Sequence, residues 1–287
     1  MRVKVNKTGK IFIGVTILLG VAAVNTGNNL LYLIVSSLLS GMLIAGFISL
    51  KNLRNLRLTL NFPYEVYASI PIKGKVGIKK EDNYYSFLIS IDNGFSKVLF
   101  PYVDKEFRFK ELSFIFPDRG YYEKVKLKIS SDFPLGMFTR FFETEIKVNL
   151  IVFPKPIRTD LKEFISEEER GESKSFFQVK GYEDIKDIRD YKNEPMKLIH
   201  WKLSAKSESL KVKEMVRNEN RSVILSLNSV DGDLETKLSK LTYLINELID
   251  RGFSVALKLD NTFIPPSFGQ KHKLKLLKEL AVYGKNS

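Results

Sequence analysis

The sequence predicts a membrane-anchored α+β protein made of a two-helix hairpin, an antiparallel β-domain and a partial α/β domain, in that order. Three observations predict it. Two apolar runs, Ile11 to Val24 and Leu30 to Leu50, lie in the first sixty residues between clusters of Lys and Arg, with no Asp or Glu. From Leu58 to Phe153 the chain is a series of short β-branched and aromatic runs broken by turn signals. After Gly181 a continuous apolar strand pattern is followed by apolar residues at helical spacing.

The second apolar run is 21 residues long and uncharged; at about 1.5 Å rise per residue it spans the roughly 30 Å hydrocarbon core of a bilayer. The first has 14 residues and needs its polar neighbours to reach across, which gives spans of about 8–26 and 30–50. Between them, Asn25-Thr26-Gly27-Asn28-Asn29 has the composition of a tight turn. Arg2, Lys4, Lys7 and Lys10 precede the hairpin, Lys51, Arg54 and Arg57 follow it, and the turn has no charge. By the positive-inside rule both ends, and hence both termini and the soluble domains, are expected on the cytoplasmic side of the plasma (inner) membrane. A secretory signal peptide would share the basic start and the short apolar run, but there is no convincing small-x-small cleavage site.

The formal net charge of +13 does not point to nucleic acid. Seven of the 46 basic residues and none of the 33 acidic ones fall in residues 1–60, which leaves +6 to the rest. The excess follows from topology and from attraction to anionic lipid, and no basic stripe with interleaved aromatics stands out. With no cysteine in the chain, disulfides, thiolate nucleophiles and cysteine-based zinc sites are excluded. His200 and His272 are the two imidazoles.

Strands are expected over Leu58 to Phe62, Ile72 to Ile78, Phe87 to Ile91, Phe107 to Phe109, Ser113 to Phe116, Val125 to Ile129 and Ile146 to Phe153. Asp92-Asn93-Gly94, Pro117-Asp118-Arg119-Gly120 and Phe133-Pro134-Leu135-Gly136 punctuate them as turns. The close spacing, with no helical period between strands, indicates an antiparallel, immunoglobulin-like sandwich. Residues 1–57 thus read as hairpin and 58–153 as β-domain. Residues 154–180 form a solvated linker, with two prolines and the charged run Glu167 to Glu172.

In 181–287, Val223 to Leu227 reads as a strand buried on both faces, and Leu234, Leu238, Leu241, Leu244, Ile245, Leu248 and Ile249 as one helix face. Asp231 or Asp233 can cap its start and Gly252 its end. Ser254 to Leu259 supplies a second strand, and Leu274, Leu277, Leu280 and Ala281 a last helix.

Polar and aromatic residues are densest from Gly181 to Glu214. Arg189, Tyr191, Glu194, Ile199-His200-Trp201-Lys202, Ser204-Ala205-Lys206, and Leu210, Val212, Lys213 and Glu214 stand there, with the only Trp of the chain. This passage resembles the signature of the family called domain of unknown function 58, Arg-x-Tyr-x-x-Gly-Asp, then Ile-His/Asp-Trp-Lys-x-Ser/Thr-Ala-Arg/Lys, then Leu-x-Val-Lys/Arg-Glu. The hairpin turn with Leu30 to Leu33, Arg119-Gly120-Tyr121 and Phe133-Pro134-Leu135-Gly136 also look like that family, so the resemblance covers nearly the whole chain. It departs at Asn193-Glu194, where the family has Gly-Asp.

The resemblance implies a C-terminal domain related to the von Willebrand factor A fold. Its magnesium site would use Asp-x-Ser-x-Ser, but Asn228-Ser229-Val230-Asp231-Gly232 stands in that place, without the leading carboxylate. Asn228 and Ser229 therefore mark a degenerate site with no cofactor expected. The resemblance further implies a protein partner, a MoxR-type AAA+ ATPase, and membrane transglutaminase-like neighbours, with a joint role in maturing other proteins.

The expected function is a scaffold or adaptor, with no catalytic motif. Arg189, Tyr191, Glu194, His200, Trp201, Lys202, Ser204, Lys213 and Glu214 are candidate signature or partner-binding residues, which can equally serve the fold: Arg189 and Glu214 by pairing near Val212, Trp201 by filling a core. The alternative is a membrane-associated enzyme or anionic-ligand-binding protein that uses the region of Arg189, His200 and Trp201. A third reading, a β-domain that binds peptide or lipid headgroups, rests on the aromatics of Phe62 to Tyr67 and Phe107 to Phe116.

Overall fold

The first residues pair as a strand before any helix begins. In the computed structural model, which describes residues 1–161, 184–190, 204, 211–216, 222–260 and 262–284, β1 (Arg2–Val5) leads into α1 (Lys7–Thr26) and α2 (Asn29–Leu53). The chain divides into two compact units, Met1–Lys155 with Gly284–Ser287, and Pro156–Tyr283.

In the first unit, Gly27 turns the chain between the helices with φ 61° in the left-handed region, and the Asn28 side chain accepts from Leu30 N at 2.9 Å to start α2. Both helices are long and apolar enough to cross a membrane. Thr16 and Ala23 are the buried positions in the middle and last turns of α1, and Thr16 satisfies its hydroxyl on Phe12 O within its own helix. Small residues of this kind let apolar helices approach each other.

Behind the hairpin, two antiparallel sheets enclose one apolar core. Strands β2 (Leu56–Asn61), β3 (Ile72–Lys80) and β6 (Arg108–Phe114) form one sheet in the order β2-β3-β6. The other, in the order β1-β8-β7-β4-β5, contains β4 (Ser86–Asp92), β5 (Lys97–Val103), β7 (Gly120–Ser131) and β8 (Phe138–Val152). Val76, Ile78, Leu112 and Phe114 from the first sheet meet Ile89, Ile91, Phe100, Leu127, Ile129 and Val152 from the second. Alternation along β7, with Val125, Leu127 and Ile129 inward and lysines between them outward, is what a half-buried strand requires.

Four strands depart from the expected list. β1 reads by sequence as a basic flank, yet it pairs with the start of β8, Val3 opposite Arg140 and Lys4 opposite Thr139. β5 contains Pro101 and lies at a sheet edge, where a missing N–H is tolerated. The two expected runs at Phe107 and Ser113 are one strand, β6, and β8 begins eight residues before Ile146.

In the second unit, β9 (Asp184–Asp190) and β10 (Lys211–Val216) form an antiparallel pair. β11 (Ser222–Ser226), a 3-10 turn Leu227–Ser229, α3 (Leu234–Asp250) and β12 (Ser254–Leu259) make the expected β-α-β unit, with β11 and β12 parallel. β13 (Thr262–Ser267), which the sequence hides behind Pro265-Pro266, adds an antiparallel edge to β12, and α4 (Gln270–Val282) follows. Leu238, Leu241, Leu244, Ile245 and Leu248 of α3 and Leu276, Leu277 and Leu280 of α4 are fully buried. Asp233 holds the first-cap position of α3.

Candidate functional site

The signature residues fall on both sides of what the structure describes. Arg189 lies on β9 opposite Val212 of β10, and Glu214 lies opposite Asp187. The register therefore places Arg189 and Glu214 two rungs apart on one ladder, next to a bulge between Glu214 and Met215. Lys213 stands opposite Ile188, and Ser204 is half-buried. Tyr191, Glu194, His200, Trp201 and Lys202 lie outside the described residues, as does most of the expected linker.

At the degenerate loop, Asn228 is exposed, while the Ser229 hydroxyl lies 2.8 Å from Ser226 Oγ and accepts from Ser226 N at 3.1 Å. Those bonds close the turn on itself. Among the described residues no three His, Cys, Asp or Glu side chains gather as a metal site would need.

Among the described residues, the best-defined polar site is instead the socket that receives the hairpin. At the exit of α2, Asn52 is buried at 3 % exposure. Its amide nitrogen donates to Phe87 O at 2.8 Å and to Ser131 Oγ at 2.9 Å, and its oxygen accepts from Phe87 N at 2.7 Å. One side chain thus imitates a strand partner for β4, and Ser131 closes the network by donating to Phe87 O at 3.0 Å.

The last carbonyls of a helix need donors from elsewhere. Here Lys80 Nζ donates to Lys51 O at 2.9 Å and to Arg54 O at 2.6 Å, and Ser86 Oγ donates to Asn52 O at 2.6 Å. The Lys80 side chain is wholly buried, with Asp82 at 3.7 Å. Burial pushes its pKa below the ordinary lysine value, and the charge of Asp82 and a hydrogen bond to it partly restore it. A cation at the negative end of the helix dipole is well placed.

The entry of α1 is held by the turn between β7 and β8. Asn6 N donates to Met137 O at 2.9 Å, Asn6 Nδ2 to Gly136 O at 3.0 Å, and Thr139 Oγ1 to Asn6 Oδ1 at 2.8 Å. Gly9 packs so closely that a Cβ there would lie 2.3 Å from Met137 O. Phe133-Pro134-Leu135-Gly136 therefore sits between entry and exit: Phe133 N donates to Ser131 Oγ at 3.2 Å, and the Phe133 and Phe87 rings lie 5.0 Å apart. Tyr85 adjoins Phe87, and Lys51 Nζ stands 4.2 Å over the Tyr84 ring. Both outer ends of the hairpin are fixed to one β-domain, so they lie on the same side of any bilayer the helices cross.

Sequence reasoning placed Phe133 to Gly136 as a turn but gave no role to Asn6, Asn52 or Lys80. The available signal was weak: a lone Asn near the end of an apolar helix and a lysine at the end of a strand. Compared with known proteins, the chain matches no family model, and no curated sequence is similar to it at a significant level.

Proposed function

We propose that the chain is a membrane-anchored scaffold or adaptor for the assembly or maturation of a protein complex, with its soluble units in the cytoplasm at the plasma membrane. The observation that carries this reading is the socket. A protein that needs tethering alone is served by a flexible linker; here the hairpin is hydrogen-bonded to the β-domain at both ends, by backbone and the half-buried Asn6 at the entry and by the buried Asn52 and Lys80 at the exit, so the first unit is held at the bilayer in one orientation. Orientation matters to a protein that presents surfaces to other proteins.

The finer fold assignments belong to the same proposal. Two sheets around one core, with Tyr122 Oη donating back to Asp118 O at 3.0 Å, fit an immunoglobulin-like domain, in which a tyrosine corner of this kind recurs. The parallel β11-α3-β12 unit fits a von Willebrand factor A-like domain that has lost its metal ligands. The partner proposed from the resemblance is a MoxR-type AAA+ ATPase, docking on the β9–β10 segment around Arg189 and His200.

Affinity capture of the full-length protein from its native membrane after mild crosslinking tests the partner. Recovery of an AAA+ ATPase that a folded Arg189→Ala, His200→Ala variant loses is the expected result; equal recovery by that variant overturns the docking surface, and no ATPase from the wild type overturns the partner. Because the chain has no cysteine, topology is read separately: Asn28→Cys should label from outside intact cells and Lys97→Cys after permeabilisation alone.

A further inference from the structure

Polar groups of the socket are bonded almost throughout, and the exception lies on its membrane side. Arg140, near the start of β8, reaches α2, where its Nη2 is 3.4 Å from Gly46 O, a long bond to a helix carbonyl. Its Nε is buried and has no partner, and the Ser49 hydroxyl, three residues along α2 from Gly46, is also buried without one. Among the described residues no carboxylate pairs with Arg140, and residues 1–64 contain no acid at all. A guanidinium keeps its charge, and this half-buried one turns a buried, unbonded N–H toward α2.

Its depth identifies the anion. Gly46 lies seven residues before the end of α2, or about 10 Å along the axis. There the buried face of the helix, Ala45, Ser49, Asn52 and Leu53, adjoins the β-domain, while Ile44 at 60 % and Phe47 at 63 % remain exposed on the other. That boundary is where an apolar helix passes from lipid to protein. Val3 of β1 stands opposite Arg140, so Arg2 and Lys4 leave the ladder on its other face, and Lys7 follows in the first turn of α1. A cation with a buried, unbonded N–H beside exposed apolar side chains of the helix matches the phosphate of a phospholipid.

We propose that Arg140 binds the phosphate of an anionic phospholipid in a seat between β8 and α2. The planar fork of arginine can grip two phosphate oxygens at once. The seat rests on the hairpin lying in a bilayer, and that premise is checked by itself, through resistance of the membrane-bound wild type to alkaline carbonate extraction.

The test is native mass spectrometry of the full-length chain in mild detergent with added phosphatidylglycerol or phosphatidylcholine. The wild type should retain phosphatidylglycerol in preference to phosphatidylcholine. Arg140→Gln, which keeps a donor for Gly46 O, should retain about tenfold less, and Arg140→Lys an intermediate amount. Lys97→Gln, at the far end of β5, should behave as wild type. Retention by Arg140→Gln equal to wild type overturns the seat; if that variant does not fold, retention by Arg140→Lys within twofold of wild type overturns it. Displacement of the lipid by millimolar inorganic phosphate also overturns it, by assigning the site to a free anion.

Discussion

The two ends of the hairpin enter the same β-domain by different physics. At the entry the main work is done by backbone: β1 pairs with β8, Asn6 N bonds Met137 O, and Gly9 permits contact because it has no side chain. At the exit it is done by side chains: Asn52 completes β4, and Lys80 and Ser86 satisfy the last carbonyls of α2. Backbone pairing tolerates most substitutions, whereas a buried polar side chain that serves several groups leaves all of them stranded when it goes. The exit is therefore the more fragile end.

The largest effect should come from Asn52→Leu. It strands Phe87 N and weakens the bonds to Phe87 O and Ser131, at about 3 kcal/mol; thermal unfolding should fall by roughly 6–12 °C for a unit of this size. A loss below that of the entry variants would break the comparison.

Next is Lys80→Met, which keeps the length but removes the donors to Lys51 O and Arg54 O, at about 2 kcal/mol. It also carries a pH signature. Because the folded pKa of Lys80 lies below its unfolded value, the unfolded chain binds the extra proton between the two, so wild-type stability gains from this group as pH rises through that window. Stability curves against alkaline pH should show the gain in the wild type and lack it in the Met variant; parallel curves would remove the buried ammonium from the account.

A smaller loss, about 1.5 kcal/mol, is expected for Gly9→Ala, where backbone must move to admit the Cβ. Gly14→Ala, with nothing within 4 Å of the added atom, should change stability by less than about 0.5 kcal/mol, and an equal cost at both would show that helix insertion and not contact is being measured. The smallest loss among the residues that hold the hairpin, about 1 kcal/mol, belongs to Asn6→Ala, whose partners are half-exposed and can turn to water. If it exceeds Asn52→Leu, the two ends have been ranked the wrong way round.

Most elements were legible because their signals are local. The hairpin helices were expected at about 8–26 and 30–50 and occur at Lys7–Thr26 and Asn29–Leu53, since uncharged length marks a span. The β11-α3-β12 unit was legible from a buried strand and a clean helical stripe. The strands that escaped, β5 and β13, carry prolines, which a sequence reading takes as breaks and an edge accepts. β1 escaped because Arg-Val-Lys-Val is too short to read as anything but a basic flank. The candidate residues fared differently: the register of β9 and β10 places Arg189 and Glu214 two rungs apart, while His200 and Trp201 lie outside the described residues.

By itself the sequence determined the apolar spans, the charge bias at their ends, the β-rich middle and the α/β close, because uncharged length, periodicity and turn chemistry act over a few neighbouring residues. Tertiary structure alone decided that Asn6, Asn52, Lys80 and Arg140 matter. Each lies at least 26 residues from a group it bonds, and the cost of burying a polar atom depends on which distant atoms come to meet it, which no local pattern records.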